Sequence, residues 1–370
     1  VVVSSFPNQS RKLAGRRLYI VLLCGLFFAA LLSDGLTGRF ATPLQTYTLP
    51  FAVSTVGITL LGFWAVPALR RLKAGQVIRE DGPQSHLKKA GTPTMGGIFF
   101  VPPALLLSLV WAGFVNAQWV DVLAAVLLTS VLGFLGWLDD WQVLKQQSNK
   151  GLSARLRLLI EVIAGAMFAG WLMWTKTDIS TLVFPFGLTL PLSVLFIGLA
   201  VFVVAAESNA VNLTDGMDGL AAGTTAIALF GLAQIIPASA SGLMIFCACM
   251  AGGCLGFLAH NHNPAKVFMG DTGALALGGA FAAVGLITNT LWALLIVSGL
   301  FFVESVSVIA QVSYYKATKG ADGIGKRLFK MSPIHHHFEQ SGWSEIRVVS
   351  TFYGVVAGLV LIALGLNRFI

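Results

Sequence analysis

Charge is what this chain has least of. Lysine, arginine, aspartate and glutamate make up 11% of its 370 residues, where a soluble globular domain carries about 25%. Hydrophobic residues make up 56%, and the mean hydropathy is +0.80. That balance excludes an ordinary soluble domain. Cysteine is scarce as well. The four, Cys24, Cys247, Cys249 and Cys254, all fall in apolar runs, which reads as small core residues and excludes a disulfide frame or a zinc site. There is no low-complexity segment and no clear internal repeat. The opening stretch does not look like a cleaved signal peptide, because its apolar run is long and lacks a convincing small-residue cleavage site.

Long apolar runs are what the chain does have, and runs of about 17 to 25 residues can span a bilayer as helices. Eleven are read, at 18–36, 50–69, 95–115, 119–138, 158–174, 186–206, 219–236, 242–260, 271–287, 291–313 and 347–366. The run at 219–236 is weak, and only Thr288-Asn289-Thr290 separates the ninth from the tenth. The fold class is therefore an all-α polytopic membrane bundle of about 11 transmembrane helices. Charge orients it. With the N-terminus in the cytoplasm and alternation thereafter, 21 of the 24 lysines and arginines fall inside. Only Arg39, Lys176 and Arg368 lie outside, a strong positive-inside pattern. The net charge of +8 is then explained by membrane orientation and attraction to anionic lipid, with no call for nucleic acid.

Against this background three acidic clusters stand out, all at the cytoplasmic face. They are Leu138-Asp139-Asp140, Asn209 to Gly219, and Phe268 to Gly273. Carboxylates near membrane depth are costly and usually kept for function. Asp139 and Asp140 are read at the end of the fourth span, where a negative pair opposes the helix dipole. Adjacent helical residues point about 100° apart, so the two are expected to have different jobs.

Asn209, Asn212, Asp215 and Asp218 recur every third residue. On a helix they would form one polar ridge suited to an oxygen-loving ion or a nucleotide-like ligand. Alternatively, Asp215 or Asp218 caps the span at 219–236. In the third cluster Asp271 opens a helix. Phe268 either stacks on a base or is an ordinary interfacial aromatic.

The remaining inner loops add donors. Lys88 and Lys89 precede Thr92, Thr94 and the Gly96-Gly97 pair; a lysine beside a helix start makes a phosphate cradle plausible. His335, His336 and His337 are consecutive. They cannot comfortably ligate one metal together, so phosphate hydrogen bonding or acid–base work fits better. Glu161 and Glu304, inside spans, are read as helix–helix hydrogen-bonding groups.

These segments together, Val77 to Gly97, Leu138 to Asp140, Asn209 to Ala221, Pro264 to Gly273 and Met331 to Glu339, resemble the bacterial phospho-N-acetylmuramoyl-pentapeptide transferases. That family sits within the polyprenyl-phosphate N-acetylhexosamine-1-phosphate transferase superfamily. The resemblance covers about residues 50 to 370. It implies Mg2+-dependent transfer from UDP-N-acetylmuramoyl-pentapeptide to undecaprenyl phosphate at the cytoplasmic face of the bacterial inner membrane.

Carried over residue by residue, Asp271 would be the Mg2+ ligand, and Asp139 and Asp140 would be essential. Asn212, Asp215, Asp218, Asn261 and Phe268 would lie on the uridine and nucleotide side, and Asn209 is counted with the substrate-binding residues. Lys89, Thr94 and His335 to His337 would lie on the phosphate and sugar side, with Lys88 counted among the substrate-binding residues. A homodimer is implied by the family alone. One domain over 1–370 is expected, with 1–49 an additional N-terminal helix and 50–370 the catalytic core. Loss of about the first 40 residues would then spare the chemistry. Two rivals are a sister transferase using UDP-N-acetylglucosamine and a cation transporter with midplane carboxylates.

Overall fold

The computed structural model describes residues 6–72, 91–115, 117–146 and 151–370, with the backbone alone for 6–12. Among them are thirteen α-helices, short 3-10 turns and one two-stranded ladder. Two helices come first, α1 (Phe6–Leu36) and α2 (Thr48–Arg71). Asp34, near the end of α1, accepts hydrogen bonds from Tyr47 N at 3.0 Å and Thr48 N at 2.8 Å. That satisfies the first amides of α2, which no helical carbonyl can reach, and it fixes the two helices antiparallel.

Four long helices and the ladder follow: α3 (Gly97–Phe114), α4 (Trp119–Gln146), α5 (Ala154–Thr175), β1 (Thr181–Val183), β2 (Thr189–Pro191) and α6 (Leu195–Thr214). The second half holds α7 (Leu220–Ile235), α8 (Ser241–Asn261), α9 (Gly270–Ile287), α10 (Leu291–Val297), α11 (Gly299–Ala317), α12 (Ile334–Gln340) and α13 (Glu345–Leu366).

Every expected apolar run is helical, but not every run is one straight span. Among the described residues nine helices are long and apolar enough to cross a bilayer, and α10 with α11 make a further pair bent by 70°. α7 has 16 residues, about 24 Å at 1.5 Å per residue, short of a core of about 30 Å. Its faces are buried nearly all round, so it is an interior helix.

The run expected from 186 starts its helix only at Leu195. Pro185 and Gly187 flank Phe186 at φ 67, and this turn lets Thr181–Val183 pair antiparallel with Thr189–Pro191. Three of the four cysteines are buried as expected; Cys24 is exposed on the outer face of α1.

The middle of the molecule is built from α8 and α9, whose membrane windows are 94% and 89% buried, against 17% for α1. Small residues permit the close approach. A Cβ on Gly252 or Gly256 of α8 would stand 2.4 Å from Phe51 O or 2.8 Å from Thr55 O of α2. The spacing is that of small residues four apart on membrane helices, where backbones meet directly. The same device joins α9 to α4, since a Cβ on Gly136 would stand 2.1 Å from Asp271 O. The alternation brings the C-terminal ends of α4, α6 and α8 to the same end as the N-terminal ends of α3, α5, α9 and α13. Every acidic cluster is there.

Candidate active site

The site grows from the N-terminus of α9. Gly270 has φ 73, a left-handed value that favours glycine. The turn aims the first amides of α9 back at α4. Asp140 Oδ1 accepts from Asp271 N at 3.1 Å, and Oδ2 accepts from Thr272 N at 2.9 Å and Thr272 Oγ1 at 2.6 Å. A buried carboxylate is thus satisfied by three donors at the end of a helix where the dipole favours negative charge.

Asp139 faces elsewhere. Its Oδ1 accepts from Leu152 N at 2.9 Å and lies 3.8 Å from Arg157 Nη1, and its side chain is within hydrogen-bonding reach of Asp271. The expectation that this pair ends its helix is corrected. α4 runs on to Gln146, so both aspartates sit inside the helix and opposition to its dipole is not the cost that matters. Burial is.

Asp271 is the meeting point. Its Oδ1 accepts from Asn212 Nδ2 at 2.8 Å and its Oδ2 from Arg157 Nη1 at 2.9 Å; a quarter of its side chain remains exposed. Asp215 reaches the same place, within hydrogen-bonding reach of the Gly270 amide. Desolvation first, then the negative charges of Asp271, Asp140 and Asp218, push the half-buried Asp215 carboxyl up to about 7. Four carboxylates from three stretches of chain therefore share one corner with the Arg157 guanidinium.

The polar ridge expected over 209–218 is only half a ridge. α6 stops at Thr214 and Asp215 is its C-cap. Asn209 turns to Glu161, 2.9 Å from Oε2, and Asn212 to Asp271. Neither Asp215 nor Asp218 caps α7, whose N-cap is Gly219 at φ 79 with no side-chain cap bond.

Asp218 accepts from Asn263 Nδ2 and Ala265 N, each at 3.0 Å. Asn261 is buried, taking a hydrogen bond from Gly219 N at 2.9 Å and donating to Val267 O at 2.8 Å. It ties the second cluster to the third. Phe268 and Thr94 are half-buried, and their backbones run side by side. Phe268 N donates to Pro93 O at 2.8 Å and Phe268 O accepts from Gly96 N at 2.8 Å.

Lys88 and Lys89 lie outside the described residues. The three histidines sit on the short helix α12 and go three ways. His335 is fully buried, with Nδ1 3.1 Å from Glu304 Oε2, and a Cβ on Gly216 would touch its Nε2. His336 Nδ1 is 3.4 Å from Glu339 Oε2, and His337 Nδ1 accepts from Lys330 N at 3.2 Å. Glu161 and Glu304 both bridge helices, as read from the sequence.

Sequence reasoning gave no site role to Arg157, Thr272, Asn263 or Glu345. Arg157 counted only as an inside charge, and Thr272 only as a letter of Gly-Asp-Thr-Gly. Glu345 carried one usable signal, its place after the Ser344 N-cap of α13.

Among the described residues, no three His, Cys, Asp or Glu side chains are grouped to hold a metal by themselves. A Mg2+ ion does not need that. It keeps several waters and is typically held by one or two carboxylates plus substrate phosphates. Asp139 and Asp271, two carboxylates within hydrogen-bonding reach, all-oxygen and with Asp271 a quarter exposed, fit such an ion.

The family model of glycosyl transferase family 4 matches residues 122–289, and phospho-N-acetylmuramoyl-pentapeptide-transferase signature 1 matches residues 89–101. The chain is 66% identical over 367 residues to the phospho-N-acetylmuramoyl-pentapeptide-transferase of Acaryochloris marina (strain MBIC 11017), covering 99% of each. It is 56% identical to that of Nostoc punctiforme (strain ATCC 29133 / PCC 73102), over 97% of this chain and 98% of the relative. It is 57% identical to that of Thermosynechococcus vestitus (strain NIES-2133 / IAM M-273 / BP-1), over 96% and 94%.

Proposed function

The chain belongs to the phospho-N-acetylmuramoyl-pentapeptide transferase family, and from that premise we propose how its cytoplasmic carboxylates serve the reaction. The protein is a multi-pass inner-membrane enzyme. It moves phospho-N-acetylmuramoyl-pentapeptide from its UDP-activated form to undecaprenyl phosphate. A phosphate oxygen of the lipid bonds to the β-phosphorus, the bond from that phosphorus to the bridging oxygen breaks, and UMP leaves. Undecaprenyl-diphospho-N-acetylmuramoyl-pentapeptide, lipid I, stays in the membrane.

The observation that carries the reading of the site is the convergence of Asp139, Asp140 and Asp215 on Asp271, which Arg157 also meets, at the membrane's inner edge. Two anionic substrates must meet there, so positive charge and alignment are the main needs of phosphoryl transfer. Asp271, with Asp139 beside it, would hold Mg2+, which when bound would offset phosphate charge and align the two substrates. Arg157, paired with Asp271 and 3.8 Å from Asp139, would supply positive charge toward a substrate phosphate. Asp140 locks the start of α9 and so fixes where Asp271 stands.

Asn212, Asp215, Asp218, Asn261 and Phe268 form the nucleotide side. Asn261 acts through the loop it braces, because both ends of its amide are used within the protein. Lys88, Lys89, Thr94, His336 and His337 would meet phosphate and sugar. His335, fully buried, supports the turn at Gly216. Residues 50–370 form the catalytic core, with α1 added to it, and two chains form a homodimer.

Purified protein mixed with labelled UDP-N-acetylmuramoyl-pentapeptide or UDP-N-acetylglucosamine, polyprenyl phosphate and Mg2+ tests the assignment. Label should enter lipid only from the first donor, and only with divalent metal. Transfer from UDP-N-acetylglucosamine instead, or transfer in excess chelator, would contradict it. A detergent-corrected mass of one chain by sedimentation would rule out the dimer.

A further inference from the structure

α1 lies outside the catalytic core, yet its N-terminal half packs onto the loop between α8 and α9. A Cβ on Gly15 would stand 1.9 Å from Asn263 O, so helix backbone meets loop carbonyl with no room for a side chain. One turn further along α1, the Tyr19 ring stacks on the His262 imidazole, with centroids 5.6 Å apart and planes 18° from parallel. The Tyr19 hydroxyl comes within hydrogen-bonding reach of the Thr59 side chain of α2.

The loop passes this contact inward. His262 Nδ1 lies 3.3 Å from Asn263 O. Asn263 Nδ2 donates to Asp218 Oδ2 at 3.0 Å and to Glu345 Oε2 at 2.8 Å. Gly15, Tyr19, His262, Asn263, Asp218 and Tyr353 line one cavity at this seam.

We propose that the cytoplasmic end of α1 positions the 261–265 loop for the nucleotide, with Gly15 and Tyr19 as positioning residues. The geometry is one-sided. α1 reaches Asp218 and the loop through His262 and Asn263, while Asp139, Asp140 and Arg157 stand on α4 and α5. Its influence therefore falls on the affinity for the UDP-linked substrate and leaves the lipid phosphate side alone. The inference rests on the assignment of Asp218, Asn261 and Phe268 to the nucleotide. It also predicts that removing residues 1 to about 40 weakens binding of the UDP-linked substrate while the chemistry itself is spared.

The test compares Tyr19→Ala, Tyr19→Phe, His262→Ala and the Tyr19→Ala/His262→Ala double variant in steady-state transfer, varying each substrate in turn. Tyr19→Ala should raise KM for the UDP substrate roughly two- to tenfold, the range one aromatic stack supports. The lipid KM and kcat should hold. Tyr19→Phe, which keeps the stack, should resemble the unaltered protein. His262→Ala should match Tyr19→Ala, and the double variant should add nothing, because both remove the same contact. An unchanged UDP-substrate KM, or a change that moves both KM values and kcat together, overturns the proposal. So do additive effects. Should Tyr19→Ala fail to insert, Tyr19→Leu, apolar but unable to stack, carries the same readout. Phe268→Ala serves as reference. A KM raised by Phe268→Ala but not by Tyr19→Ala sinks the α1 inference alone. A KM raised by neither sinks the nucleotide assignment beneath it.

Discussion

Asp139 and Asp140 are neighbours in sequence that meet Asp271 differently, one through its side chain and the other through its amide. Asp271→Asn keeps volume and can still meet Asn212, but it removes the charge that would hold Mg2+. The variant should insert and fold yet lose transfer, and near-normal turnover at saturating Mg2+ would remove Asp271 as the metal ligand. Phe268→Ala should cost UDP-substrate affinity about 1–3 kcal/mol if the ring stacks on uracil; unchanged affinity by calorimetry would return Phe268 to the interfacial aromatics. Asp215 gives a pH signature in metal-free protein. Its folded value, about 7, lies above the ordinary carboxylate value. Its contribution to stability is thus full below about 4 and lost as pH rises through about 7. Thermal unfolding in chelator should show that decline, Asp215→Asn should flatten it, and an identical pH curve in both proteins would refute it. These aspartates were legible because charge is so rare in this chain. Arg157, Asn263 and Glu345 were not, since their partners lie tens of residues or more away and only helix packing brings them together.

At the scale of elements, one glycine holds the site's geometry. Gly136 lets α4 lie against the backbone of Asp271, and a methyl group there would overlap its carbonyl. Gly136→Ala must therefore shift the start of α9. A displacement near 1 Å at reacting groups can cost on the order of 10²-fold in rate, so turnover should fall by about that much while insertion persists. Gly133→Ala, whose methyl would stand 3.2 Å from Ala276 Cβ, should be much milder; equal loss in both would deny the α4–α9 contact a special role. Helix placement was legible from hydropathy because membrane helices must be long and apolar. The interruptions were not. Phe186 and Ser298 lie inside runs read as single spans, so hydropathy alone did not separate out the ladder before α6 or the 70° bend between α10 and α11. The three-residue period from Asn209 to Asp218 looked helical, but Gly216 and Gly219 let the chain turn away after Thr214.

Over the whole molecule, charge and packing agree on orientation. Basic residues put the N-terminus inside, and α1 meets the site loop near its start and caps α2 near its end. On a Cys24→Ser background, a cysteine placed near residue 8 should resist membrane-impermeant thiol reagents in intact cells; labelling there would reverse α1. The account's central claim is that a carboxylate corner at the inner membrane edge, centred on Asp271, carries out Mg2+-dependent phosphosugar transfer to lipid. Simultaneous product analysis tests it most directly, with purified protein and Asp271→Asn each given Mg2+, undecaprenyl phosphate and UDP-N-acetylmuramoyl-pentapeptide. Lipid-linked product and UMP should form in equal amounts with the unaltered protein, and neither product in chelator or from Asp271→Asn. UMP without lipid product, or full transfer by Asp271→Asn, would contradict it.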